Sequence, residues 1–271
     1  VDAGIARVCA SLEDPNPRVD GGGFAFLRAN GVSVDVGLGA ARARALNQPY
    51  LTLTLEARPF VILKAATSLD GCIAEAKGVR TQLTSAVATR HAHRVRAEID
   101  AIGVGVGTVL ADDPLLTVRG VYRPRPLARV IFDRHLRTPP TARVLSTRDA
   151  GPVIIVTTES DHRADDARRR LQDCGAEIDV ADGPTFRSAL ERLGARGIGS
   201  LLLEGGATLH AAAWSEDLVD FVRLYVTPHV LGPGALQLLE GQRFNSAALV
   251  ERRVEPLGPD VMIEGYVHGP H

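Results

Sequence analysis

Residues 64–78 read KAATSLDGCIAEAKG, and residues 100–120 read DAIGVGVGTVLADDPLLTVRG. The first run is an apolar strand entering an Asp70-Gly71 turn, and the second is another apolar strand that opens into a loop punctuated by Gly and Asp. The residues between them form a polar, helix-like stretch rich in Arg and His. Small, charged and hydroxyl residues gathered at strand ends are where an α/β sheet places its ligand. The expectation is therefore an α/β protein with its site along these two runs.

Working outward, the run from Pro59 (PFVILKAA) is continuously apolar, as a strand buried on both faces should be. Leu127–Asp133 (LARVIFD) and Gly151–Thr157 (GPVIIVT) repeat that pattern, and helical segments follow at about His162–Cys174 and Phe186–Ala195. The alternation predicts a mostly parallel sheet covered on both faces. Ser200–Leu203 is a further strand and leads through Glu204-Gly205-Gly206 into an Ala-rich helix. The stretches DLVDFVRLYVTPHVLG and PDVMIEGYVHG supply late strands, expected to be antiparallel additions that make the sheet mixed. Arg58-Pro59 marks a boundary, giving residues 1–57 and 58–271 as two units. The first unit reads as an apolar segment, an Asp14-Pro15-Asn16-Pro17 turn, a Gly21-Gly22-Gly23 loop, a short helix and the strand GVSVDVGL. It is too small to bury a convincing core alone.

Composition narrows the function classes. With 31 Lys and Arg against 32 Asp and Glu, the 271-residue chain has a formal charge of -1 and no field of one sign to draw nucleic acid or an anionic membrane. No apolar run approaches the roughly 18 to 20 residues of a membrane span, so a cytoplasmic protein is expected. Cys9, Cys72 and Cys174 lack the paired spacing of a zinc or redox site and read as free thiols. His91 and His93 are two apart on a helix, which separates them as metal ligands and leaves solvated helix-face residues as the reading. Val1 stands where an initiating Met would, which leaves open a processed product or a piece of a longer reading frame.

Several residues have a plain reading beside a functional one. Arg90 and Arg94 read as a solvated helix face. Thr108 and Asp112 fall on a loop after the second strand, where Asp112-Asp113-Pro114 is a turn with a capping carboxylate. Arg134 sits at a strand end, where its fork suits a ribose 2′-phosphate and an ordinary surface arginine equally. Glu204-Gly205-Gly206 is a tight turn, or a turn whose amides and following helix N-terminus receive a diphosphate, although the full G-x-G-x-x-G pattern is missing.

Taken together, Lys64, Ser68-Leu69-Asp70-Gly71, Asp100-Ala101-Ile102, Gly105-Val106-Gly107-Thr108, Leu110-Ala111-Asp112-Asp113-Pro114 and Leu116-Thr117-Val118-Arg119 resemble the reductase domain of the bacterial bifunctional riboflavin-biosynthesis deaminase/reductase family. Glu204-Gly205-Gly206 and Gly258-Pro259-Asp260-Val261 follow in the same order, so the resemblance runs from Arg58 to the C-terminus. It implies a three-layer αβα, dihydrofolate-reductase-like fold and an enzyme that uses NADPH to reduce the ribosyl group of 5-amino-6-(5-phosphoribosylamino)uracil to a ribityl chain, working as a homodimer. By the same resemblance Lys64, Asp70 and Glu204 are catalytic. Arg80, Arg96, Leu116, Arg119 and Glu204 contact the substrate, with Arg96 and Arg119 on its phosphate. Ala66, Gln82, Thr108, Asp112, Arg134 and the loop Gly206, Ala207, Thr208, Leu209, His210, Ala211 and Ala212 contact the cofactor. No metal is implied.

Residues 1–55 resemble the C-terminal end of the same family's cytidine-deaminase-like domain. They lack both the H-x-E and P-C-x-x-C runs that zinc deamination needs, so this segment cannot deaminate by itself. Three positions depart from the reductase pattern. Cys72 stands where the family has Lys or Arg, and the family's G-x-S-x-W-I-T appears here as Gly78-Val79-Arg80-Thr81-Gln82-Leu83-Thr84. Arg80 thus replaces a substrate-contacting serine and Gln82 a cofactor-lining tryptophan, which motivates two alternatives: a related reductase of another phosphorylated heterocycle, or a non-catalytic relic of the fold.

Overall fold

Ser200–Leu203 is a strand buried at every residue, with Leu201, Leu202 and Leu203 sealed from solvent. Continuous burial belongs to a strand covered on both faces, and each of these leucines contributes roughly 1.5–3 kcal/mol of hydrophobic stabilisation. The run lies at the centre of a nine-stranded sheet. These features come from a computed structural model, which describes residues 1–19, 21–158, 164–242 and 244–270.

In chain order the elements are β1 (Arg7–Ala10), α1 (Gly22–Ala29), β2 (Ser33–Val36), α2 (Ala40–Glu56), β3 (Phe60–Thr67), β4 (Cys72–Ala74), α3 (Ala86–Glu98), β5 (Ala101–Gly105), α4 (Val106–Asp112), β6 (Ala128–Phe132), β7 (Val153–Thr157), α5 (Asp165–Asp173), β8 (Ala176–Val180), α6 (Phe186–Ala195), β9 (Ser200–Leu203), α7 (Ala207–Ser215), β10 (Phe221–Val226), β11 (Leu236–Gln237), β12 (Val250–Leu257) and β13 (Asp260–Tyr266). The large sheet runs β12-β13-β10-β3-β9-β5-β6-β7-β8. From β10 to β8 all neighbours are parallel, while β13 pairs antiparallel with both β10 and β12. The sheet is mixed as expected, with the difference that β10 joins the parallel set.

Alternation along the strands separates two cores. Leu201, Leu203, Ile154 and Val156 face one side with Phe186, Leu190 and Leu193 of α6 and Ala213 of α7. Leu202, Val153 and Ile155 face the other with Val95 of α3, Val106 and Val109 of α4 and Leu171 of α5. This is the three-layer αβα arrangement. Gly103 in β5 serves close packing inside it: a Cβ there would come within 2.9 Å of the Phe132 ring and 3.1 Å of Leu201. Arg129 is wholly buried in β6 and donates through its two terminal nitrogens to the carbonyls of Val144 and Gly151 and the Thr147 hydroxyl, while its buried Nε has no partner among the described residues.

Within residues 1–57, β1 and β2 form a separate parallel pair, and neither they nor α1 has a buried residue. The glycine run is part of α1 rather than a loop, with Gly21 as its cap. Among its described residues four side chains are buried, Val32, Gln48, Leu51 and Thr52, in line with its small size. The chain enters β3 past Arg58, which is buried and forks onto Asp220 at 2.7 and 2.8 Å. Asp220 in turn accepts from the Val61 amide at 2.7 Å, tying the start of β3 to the start of β10.

Two further expectations need correction. Thr108 and Asp112 lie on helix α4 and not on a loop, because the chain turns directly from β5 into a helix at Val106. His93 is buried and His91 half-buried, so neither is a solvated helix residue: α3 packs the Ala88, Ala92 and Val95 side inward, and both histidines lie on its flank. The helix expected at about His162–Cys174 is α5 from Asp165; the first two residues of the expected range, 162 and 163, lie outside the described residues.

Candidate active site

β9 stops at Leu203, opposite Leu63 of β3, so the next residues, Lys64 and Glu204, lie side by side where the central pair separates. The Glu204 amide donates to the Gly103 carbonyl at 2.8 Å, which fixes it against β5 as well. Beyond this point the ends of the parallel strands diverge around a cavity of about 940 Å³. That is the position where open parallel sheets bind ligands, and the volume suits a large one.

Glu204 is the floor of this cavity. Arg96 of α3 grips it bidentately, Nε donating to Oε1 at 2.8 Å and Nη2 to Oε2 at 2.7 Å, while Lys64 Nζ stands 3.4 Å from Oε2. Burial opposes ionisation of the carboxyl, but the cations of Arg96 and Lys64 outweigh it and hold Glu204 well below the usual carboxylate range. Glu204 is thus a fixed anion. The third fork of Arg96, Nη1, donates to the Thr117 carbonyl at 3.0 Å and anchors the segment leading to Arg119. His93, one helical turn before Arg96, accepts the Arg119 amide on Nδ1 at 3.3 Å. Burial, with Arg96 and Arg119 nearby, pushes His93 down to about 4, so it is neutral and able to accept. Lys64 also lies 5.6 Å above the Tyr225 ring, whose hydroxyl meets His91 Nδ1 at 2.9 Å.

The turn after Glu204 is built for close approach. Gly205 and Gly206 have φ of +133° and +84°, values that L side chains rarely adopt, and a Cβ on Gly205 would sit 3.0 Å from Thr108 Oγ1. Gly205 donates its amide to His210 Nε2 at 3.1 Å, and burial lowers His210 to about 4, keeping that nitrogen an acceptor. α7 then starts with its first turn lining the cavity and its positive helix end at the open space; the Leu209 and His210 amides donate to the Gly206 carbonyl at 3.0 Å, which leaves the first two amides of the turn for a ligand. A Cβ on Gly107, at the opposing start of α4, would meet nothing within 4 Å. Two glycine-lined helix starts face each other with Thr108 between them, a cradle that fits the diphosphate of a dinucleotide. Asp112 sits in the same wall; burial raises its carboxyl and nearby Arg80 draws it down. At the far end Arg134 lines the cavity and donates to the Pro184 carbonyl at 2.6 Å.

Most residues singled out in the sequence converge here: Lys64, Ala66, Arg80, Thr108, Asp112, Arg134, Glu204 and Gly206–Ala212, Ala211 excepted, line the cavity. Others lie elsewhere. Asp70 caps a loop: its carboxylate accepts from Ser68 Oγ at 2.5 Å and from the amides of Gly232 and Leu231 at 2.8 and 3.2 Å, bonds that lower it to about 2. Gln82 turns its amide onto Thr84, and Leu116 is buried in the α3-side core with a φ of +53°. Arg96 lies behind Glu204, and Arg119 is exposed on the anchored segment beside it. Sequence reasoning missed Lys77 and Arg137, which line the cavity, and the wall formed by Thr157, Thr185 and Phe186. Lys77 precedes the Gly78 turn and Arg137 follows Arg134 by three, faint signals; the wall has none, because it joins the ends of β7 and α6 only in space.

The chain is similar to known proteins over most of its length. The family model of the RibD C-terminal domain matches residues 59–263. The riboflavin biosynthesis protein RibD of Aquifex aeolicus is 33% identical over 269 residues, covering 97% of this chain and 73% of that protein. The 2,5-diamino-6-ribosylamino-4(3H)-pyrimidinone 5′-phosphate reductase of Methanothermobacter thermautotrophicus is 39% identical over 222 residues, 78% of this chain and the whole of that protein. Among solved structures, a Thermotoga maritima diaminohydroxyphosphoribosylaminopyrimidine deaminase/5-amino-6-(5-phosphoribosylamino)uracil reductase superposes with a TM-score of 0.78 at 28% identity, covering 97% of this chain and 72% of that one.

Proposed function

Since the chain belongs to the RibD C-terminal domain family, we propose that it reduces the ribosyl group of 5-amino-6-(5-phosphoribosylamino)uracil to the ribityl chain with NADPH. The observation that carries this reading is Glu204, held as an anion between Arg96 and Lys64 at the floor of a cavity, directly beside a glycine-lined diphosphate cradle. NADPH, when bound, supplies the hydride. The ribosylamine opens to an imine; hydride adds at its carbon and a proton at its nitrogen, which uses one NADPH and one proton per amine formed. Of the two cations on Glu204, Lys64 is the one that lines the cavity and so the one placed to meet the substrate nitrogen, and Glu204, fixed as an anion, aims it. Arg96 is engaged by Glu204 and Thr117, so it contributes orientation and charge; in this reading the substrate phosphate falls to Arg80 on the cavity wall and to Arg119, exposed on the segment Arg96 anchors. Asp70 serves by holding the loop at residues 231–232. Binding a remote phosphate aligns the reacting carbon, and alignment is worth up to roughly 7–11 kcal/mol in well-oriented systems. Arg134, with Arg137 beside it, selects the 2′-phosphate of NADPH over NADH.

A second substrate is favoured by the Methanothermobacter relative: the diamino-pyrimidinone 5′-phosphate that has not been deaminated. In the same reading residues 1–57 are the end of a deaminase-like domain, the protein works in the cytoplasm, and it pairs as a homodimer; β12, exposed along nearly all its length at the sheet edge, offers a second copy a place to pair. Among the described residues no helix is long and apolar enough to cross a membrane.

The test is NADPH oxidation with each phosphate, and with NADH for comparison. We expect turnover of the uracil phosphate, preference for NADPH, and a rise of at least about tenfold in KM for Arg119→Ala, the scale of one charge-assisted bond. Turnover of the diamino compound alone transfers the reading to that substrate, and turnover of neither contradicts it.

A further inference from the structure

Three segments meet at the mouth of the cavity: the loop 75–81 between β4 and α3, the first turn of α7, and residues 238–242 after β11. One side chain joins them. Glu240 accepts from Thr208 Oγ1 at 2.6 Å on Oε2 and faces Lys77 Nζ at 3.2 Å with Oε1. Thr208 and Lys77 both line the cavity, whereas Glu240 stands outside its wall. The backbone that carries Glu240 is rooted: Leu238 and Leu239 immediately before it are buried in the core, and the Leu238 amide donates to the Gly71 carbonyl at 3.3 Å. The carboxylate is therefore presented to the cradle by a fixed segment.

The partners it takes are the informative feature. A hydroxyl on the first turn of a helix opposed by an ammonium is a donor pair suited to a phosphate oxygen. Glu240 satisfies both donors as such an oxygen would. The Thr208 hydroxyl and Lys77 hold its carboxyl below the ordinary range, so it is charged at neutral pH. The pair with Lys77 is exposed, 72% on the lysine and 46% on the glutamate, and an exposed ion pair exchanges readily and is screened by salt.

We propose that Glu240 is an internal competitor for the cofactor phosphates, occupying Thr208 and Lys77 in the free protein and yielding them when a phosphate arrives. It thereby weakens cofactor binding and hastens release, and by bridging the 75–81 loop to α7 it keeps the mouth drawn together until then. The proposal rests on the cofactor reading above.

The test is calorimetric titration of the full chain and its Glu240→Gln and Glu240→Ala variants with NADPH and, separately, with inorganic pyrophosphate. Both variants are expected to bind each anion about three- to tenfold more tightly at low salt, the difference shrinking as salt screens the carboxylate. In the free protein, amide exchange of residues 75–81 is expected to quicken in both. Unchanged or weaker binding of both anions would overturn the proposal and leave Glu240 a strut. Tighter pyrophosphate binding without any NADPH binding keeps the competition and removes the cofactor reading. Absence of binding by either anion in all three proteins overturns both.

Discussion

Glu204 illustrates what a single residue contributes and why its role is only half visible in the sequence. A glutamate between a buried strand and a glycine turn marks itself as a site residue. Its partner Arg96 lies 108 residues away, and only the packing of α3 against the strand ends makes them a pair. The family resemblance implies that Arg96 is a phosphate ligand, and in the structure its guanidinium is engaged with Glu204 and Thr117. Replacing Glu204 by Gln leaves two cations facing a neutral amide in a poorly hydrated place. The expected cost is about 3 kcal/mol of stability together with most of the turnover, read by urea unfolding and initial rates. The pH dependence has a definite sign. The folded carboxyl titrates below the ordinary 4.5, so the unfolded chain binds the extra proton in that window. The stabilisation is whole above about pH 4.5 and is lost as pH falls through the lowered value, and the Gln variant should show a shallower fall there. Equal slopes in the two proteins would mean that Glu204 is not held as an anion.

At the scale of elements, legibility follows burial. β9 and α6 are read from the sequence to the residue because each carries one uninterrupted signal: four buried residues before a turn, and an apolar stripe after a Thr185 cap. β8 (AEIDV) and β12 (VERRVEPL) go unread because edge strands carry charge and mimic loops. α2 escapes because Pro49 interrupts its pattern while tertiary contacts keep the helix intact. α4 reads as a loop because its seven residues are too few to show a helical period. The turn from β9 to α7 was legible as a cradle only in outline; the φ of +84° at Gly206 supplies the reason for glycine there. Gly206→Val should strain that turn and place a branched side chain in the cradle. Loss of at least about tenfold in NADPH affinity is expected, with a folded circular dichroism spectrum, since a forced positive φ costs of order 1–3 kcal/mol. Wild-type affinity in that variant would move the phosphates elsewhere.

For the whole molecule, the sheet order explains how residues as far apart in the chain as Lys64 and Leu236 come to line one cavity. Adjacent parallel strands β3, β9, β5 and β6 all point their C-terminal ends the same way, so the residue following each strand arrives at one place. Sequence alone gives the strand ends but not their order across the sheet, which is why Thr157 and Phe186 join the site unannounced while Asp70, beside a similar turn, serves a loop. The proposed function requires this cavity to deliver a hydride to the ribosyl carbon. The most direct measurement is mass spectrometry of the product formed from 5-amino-6-(5-phosphoribosylamino)uracil and NADPH deuterated at the transferring position, with Glu204→Gln as control. A ribitylamino product carrying one deuterium at the former ribosyl C1, and little product from the control, is the predicted result. A product without deuterium, or recovery of unreduced ribosylamine while the wild-type protein binds NADPH, would contradict it.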